Sequence, residues 1–195
     1  MKAFAGDQGM GMHIFSRLMA VAVAIGILGP IPAVAETESE TVFSSKAWKV
    51  EVVAFDDGTV ACVSSVTRPR GKFSIWVFDD QSVRLQFFSQ EWQFDQNSAD
   101  LEIQIDRRGP WTLTDADLYQ NSVLFDLPDG RAGRRFMVEV ADGKTLFLRD
   151  ADGADVRRFT LAGSKASMLA MAECGETISQ GGSDGAAKRQ ANPFN

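Results

Sequence analysis

The sequence predicts an all-β fold: an antiparallel β-sandwich or flattened barrel of about 8–10 short strands with one C-terminal helix. Three observations predict it. From Trp48 onward apolar residues recur at every second position. Asp-Gly and related turn signals separate the runs. A single stretch of small residues with helical spacing then closes the pattern around Cys174.

Residues 1–35 read as a signal peptide. Arg17 precedes the apolar run Leu18 to Pro32, and Ala33-Val34-Ala35 supplies a small-residue cleavage pattern. The run is shorter than the ~20 residues a spanning helix needs. Residues 36–45 are expected to form a polar leader, and 46–175 a single β domain. Within it, Phe73, Ile75 and Val77 alternate with Ser74, Trp76 and Phe78, so both faces of that strand are apolar. Val83, Leu85 and Phe87 form the next run, and Leu101, Ile103 and Ile105 alternate with Glu102 and Gln104. Phe136, Val138 and Val140 read as a further strand, followed by Leu146–Leu148 and Val156–Leu161. Asp56-Asp57-Gly58, Pro69-Arg70-Gly71, Asp79-Asp80, Pro128-Asp129-Gly130 and Asp152-Gly153 supply turns.

The terminal helix is expected to begin at Ser164 as N-cap and to stop at Gly175. Its small and apolar face carries Cys174, which should therefore point into the domain. The other cysteine, Cys62, lies in an early strand. In an oxidising compartment an even pair is most simply one structural disulfide, Cys62–Cys174. No C-x-x-C spacing or adjacent cation marks a redox-active pair. Residues 176–195 lack any period and are expected to be a disordered tail.

Charge and composition narrow the chemistry. The chain carries a net charge of −6, and removing the leader with Lys2, Arg17 and Asp7 makes the remainder one unit more negative. An acidic product of export lacks the basic stripe of a nucleic-acid binder, and no apolar run remains for membrane insertion. The one histidine, His13, falls in the leader. Nucleophilic triads and histidine metal sites are thereby excluded from the exported domain.

No catalytic, cofactor-binding or metal-binding residue is expected. The paired aspartates sit in turns, where Asp accepts backbone amide bonds, although two carboxylates could in principle serve a saccharide hydrolase. Asp150 to Asp155 faintly resembles a calcium loop but lacks its spacing. The arginine pairs around Arg68, Arg108 and Arg135 are expected to guard strand ends. Asn192-Pro193-Phe194 is a short candidate peptide ligand. The aromatics Trp76, Phe78, Phe88, Trp92 and Trp111 form the candidate ligand- or partner-binding surface, against the alternative that they complete a two-sided core.

Trp48-Lys49-Val50 opening the first strand, the early Cys62, and Phe159-x-Leu161-x-Gly163 leading into a small-residue helix carry a resemblance. Together with the leader they make the chain similar to the invasion-associated locus B family of exported bacterial proteins. Val52 stands where that family commonly carries a cysteine. The resemblance implies a small all-β periplasmic protein without known catalysis, linked by the family's name to host interaction. The resulting expectation is a periplasmic or secreted, non-enzymatic domain that binds a protein or an apolar ligand. A histidine-independent hydrolase acting on saccharide or cell-wall material, and a purely structural envelope factor, are the alternatives.

Overall fold

A computed structural model describes residues 37–190. The signal peptide and the Asn192-Pro193-Phe194 triplet lie outside the described residues. Ten strands form one antiparallel sheet: β1 (Glu38–Ser45), β2 (Trp48–Ala54), β3 (Val60–Arg68), β4 (Gly71–Phe78), β5 (Val83–Ser89), β6 (Phe94–Ile105), β7 (Trp111–Gln120), β8 (Ser122–Asp126), β9 (Thr145–Asp150) and β10 (Asp155–Thr160). Helix α1 (Arg131–Asp142) lies between β8 and β9, and α2 (Ser164–Gln190) follows β10. The spatial order is β1-β2-β3-β4-β5-β8-β7-β6-β9-β10, so a five-strand meander continues into a second antiparallel group through the β5–β8 pairing.

The sheet curls into a half-barrel. Its curl brings the two ends of the strand order together, and the Trp48 indole of β2 donates to the Thr160 carbonyl of β10 at 3.0 Å. Side chains alternate across the pleat. One face carries Trp48, Phe73, Ile75, Leu85, Phe87, Ile103, Leu148 and Phe159, all at most 2 % exposed. Phe73 stacks on Phe87 at 4.7 Å, and Trp48 meets Phe73 edge-on at 6.0 Å. Helix α2 crosses this inner face over β1 to β4 and packs beside α1.

The all-β class, the strand number and the C-terminal helix agree with the sequence pattern. Three local expectations are corrected. Arg131–Asp142 is a helix, not a strand. Gly133, Phe136 and Val140 are buried at helical spacing, whereas Val138, two residues from each of the last two, is 58 % exposed. The short alternation Phe136/Val138/Val140 fits either period, and the surrounding Ala, Arg, Met and Glu favour the helix. Within the polar leader, Glu38–Ser45 forms edge strand β1, with Phe43 turned onto the core and a bulge between Thr41 and Phe43. A bulged strand carrying Glu38 and Glu40 is a poor template for further pairing.

The third correction concerns α2. Gly175 does not end it; the helix continues to Gln190, into the stretch read as a tail. Gly175 is buried because a Cβ there would stand 3.1 Å from Val77 Cγ1, so the glycine permits close helix–sheet approach and not a left-handed stop. Ser164 is not a conventional cap either. Its hydroxyl lies 2.7 Å from both the Val140 and Leu161 carbonyl oxygens, tying the start of α2 to the end of α1. The expected disulfide is present, joining Cys62 on β3 to Cys174 on α2 across a Cα separation of 6.1 Å.

Candidate functional site

The two helices and the end of the meander enclose a cleft of about 820 Å3. It arises from the faces the helices leave over. Phe136 and Val140 bind α1 to the core, which turns Met137, Val138 and Ala141 toward α2. Ser164, Ser167, Met168, Met171 and Gly175 seat α2 on the sheet. That leaves Lys165, Leu169, Ala172 and Glu176, spaced four, three and four residues apart, along the cleft. Val77 and Val83, from the ends of β4 and β5, form the sheet side.

Two features of this cleft are unusual for a solvated groove. Val138 and Leu169 are 58 % and 64 % exposed, although both are large and apolar. Three methionines, Met137, Met168 and Met171, share the lining, and their flexible thioether chains adapt to varied shapes. The mouth is charged. Asp80, Asp129, Asp142 and Glu176 stand around it against Arg134 and Lys165. Lys165 bridges to Asp142 at 3.0 Å, linking the two helices. Hydrogen bonds from Ser82, side chain and amide, hold the Asp80 carboxyl below its ordinary value, so it stays ionised.

The five candidate aromatics do not converge on this cleft, and only Trp76 and Phe78 stack on each other. Trp76 and Phe78 project from the face of β4 opposite the core, stacked at 6.5 Å with Phe55 beside Trp76 at 6.2 Å. They lie across from Ala61 and Val63, which are buried on that outer face. Phe88 is on the same face near the β3–β4 turn, opposite Lys72. Trp92 packs on Phe94 at 5.5 Å beneath the Arg157 guanidinium. Trp111 is docked against α1. It meets Phe136 edge-on at 5.5 Å, lies under Arg135 at 4.1 Å and donates to Glu139 Oε2 at 2.9 Å. All five are half-buried.

The acidic turns use their carboxylates locally. Asp57 Oδ1 accepts the Thr59 amide at 2.8 Å, and Asp150 Oδ1 accepts the amides of Asp152 and Ala154. Four carboxylates are displaced from their ordinary range, all downward. Thr59 hydrogen bonds lower Asp57, Ser82 lowers Asp80, Arg70 lowers Glu91 and Arg84 lowers Asp126. Among the described residues no group of three or more acidic, histidine or cysteine side chains is placed to hold a metal ion.

Sequence periodicity hides the cleft, because Phe136, Val138 and Val140 in its α1 wall alternate as a strand would. The signal that could have found it is the i, i+4, i+7, i+11 series Lys165, Leu169, Ala172 and Glu176, with apolar residues at its centre and charges at its ends. Comparison of the chain with protein-family models, with curated proteins and with solved structures finds no match in any of the three.

Proposed function

We propose that this chain is a non-enzymatic exported domain that binds a segment of another protein in the α1–α2 cleft. One observation carries the reading: Val138 and Leu169 face a methionine-lined groove yet remain more than half exposed. Large apolar side chains left open at such a groove gain their burial from a partner. The volume of about 820 Å3 suits a row of side chains from one amphipathic helix. Four carboxylates against two cations at the mouth favour basic flanks on that helix. An anionic fatty acid would meet the same carboxylates as a repulsion.

Placement outside the cytoplasm, and kinship with the invasion-associated locus B family, belong to this proposal. The leader motif and the cysteine bridge support the first.

The test is titration of the mature protein with an amphipathic Leu/Lys peptide, followed by the methyl signals of its methionines. Met137, Met168 and Met171 should shift, and a Leu/Glu peptide of the same length should bind at least about tenfold more weakly. Leu169→Asp should abolish binding without changing the melting temperature, because Leu169 is 64 % exposed. Saturable binding of decanoate with no response to the Leu/Lys peptide would replace this reading with a small apolar ligand. Silence from both would remove the cleft from consideration.

A further inference from the structure

A second hollow lies at the other end of β4, beside the β3–β4 turn. It encloses about 310 Å3, and its lining includes Arg68, Arg70, Lys72, Gln86, Phe88 and Gln90. In a chain of net charge −6 this corner is strongly basic. One carboxylate, Glu91, is shared by Arg70 at 2.9 Å and by Arg157. Arg68 and Lys72 have no ion-pair partner among the described residues. Arg70 and Arg157 thus share one acid, and Arg68 and Lys72 add two unpaired cations to the lining.

The hollow also has a ring and one fixed side-chain amide. Phe88 stands on the outer face of β5, directly across the ladder from Lys72, while its neighbour Phe87 fills the core. The Gln86 side chain is held on both sides. It accepts from Trp76 Nε1 and donates to Ser122 Oγ, each at 3.1 Å. Such a corner offers a flat apolar face, unpaired positive charge and one oriented amide within the space of one small ring.

We propose that this hollow binds an acidic saccharide, the sugar ring lying on Phe88 and its carboxylate or phosphate pairing with Arg68 and Lys72. A neutral sugar would leave the two cations unused, and a bare anion would leave the ring unused. The site is separate from the α1–α2 cleft and does not depend on what that cleft binds. Gly71 in this hollow and Val77 in the cleft are six residues apart on β4, a span of about 20 Å.

The experiment is an amide-detected titration of the mature protein with oligogalacturonate, glucose 6-phosphate, a neutral glucan of matched length and inorganic phosphate. The expected result is saturable shifts at Lys72, Phe88 and Gln90 with an acidic sugar and none with the glucan. Whichever of oligogalacturonate and glucose 6-phosphate binds more tightly identifies the anion as carboxylate or phosphate. Arg68→Ala combined with Lys72→Ala should weaken that binding by about tenfold or more, and Phe88→Leu should weaken it while preserving the fold. The melting temperature of each variant separates lost binding from lost structure. The proposal is overturned by absence of binding, by equal binding of the glucan, or by inorganic phosphate matching the acidic sugars with Phe88→Leu unaffected, an adventitious ion only.

Discussion

Removing the Cys62–Cys174 bridge should be among the most damaging single changes available to this domain. The bridge joins residues separated by 112 positions, linking an early strand to the last helix. Treating it as a constraint on the unfolded chain, a loop of that length is worth about 5 kcal/mol, with strain and residual structure lowering the delivered value. Against a typical total of about 5–15 kcal/mol, that is a third or more of the stability. The double variant Cys62→Ala/Cys174→Ala is the cleaner perturbation, because Cys62 is fully buried and a serine there would add an unpaired hydroxyl. Equilibrium denaturant unfolding of parent and variant, each with and without reductant, measures the difference directly. The parent should lose several kcal/mol on reduction, and the variant should be insensitive to it. The loss should be uneven. Hydrogen exchange should quicken first in α2, whose remaining hold on β1 to β4 and α1 is non-covalent packing alone. Equal midpoints for oxidised parent and double variant would refute the argument, and with it the view of α2 as a helix stapled over the sheet.

Gly163→Ala should cost about 2 kcal/mol or more, read from the same unfolding curves, because its φ of 103° is unfavourable for a side chain and the new Cβ would collide with the Ser45 carbonyl oxygen. Asp126 is held below its ordinary value by the Arg84 guanidinium, which grips it at 2.6 Å and 2.9 Å. With the folded value lowered, the pair's contribution is present at neutral pH and fades as pH falls through that value. Asp126→Asn should therefore be less stable than the parent near neutrality, with the gap closing only as pH falls through the lowered folded value of Asp126. The side chains are 42 % and 66 % exposed, so solvent screening keeps the gap within about 1 kcal/mol. A gap that persisted in acid would refute the assignment.

How much was legible follows from which forces are local. Ile103, Ile105, Leu146 and Leu148 alternate because one face of each strand is buried, and that pattern survives without any tertiary knowledge. The bridge was legible for a similar reason, since compartment and cysteine number constrain it before any fold is known. Helix α1 was not. Three apolar residues two apart cannot distinguish a strand from the flank of a helix, and only the exposure of Val138 decides. Gly175 misled for a different reason, because its role is set by Val77, nearly a hundred positions away. The aromatic cluster is kept only in part, since Trp76 and Phe78 stack and Phe88 shares their face while Trp92 and Trp111 lie elsewhere. The β6–β7 excursion carries Trp111 away from β4, under α1.

The turns of the meander polarise its two ends. Register places Asp56-Asp57, Asp79-Asp80 and Asp126 at one end of β2 to β5 and β8, and Lys46, Arg68 and Arg70 at the other. Each residue alone is an ordinary solvated turn side chain. Their segregation is not required by turn chemistry, which would accept Asp or Asn at either end. The acidic cleft and the basic hollow lie at opposite ends of a ladder whose core residues Phe73, Ile75 and Leu85 are completely buried. A packed sheet of that kind does not deform continuously, and substitutions this far apart with no shared partner act additively. Leu169→Asp should therefore leave saccharide binding untouched, and Arg68→Ala combined with Lys72→Ala should leave peptide binding untouched. Mutual interference would mean that the two ends belong to one extended surface, along which a single long partner runs.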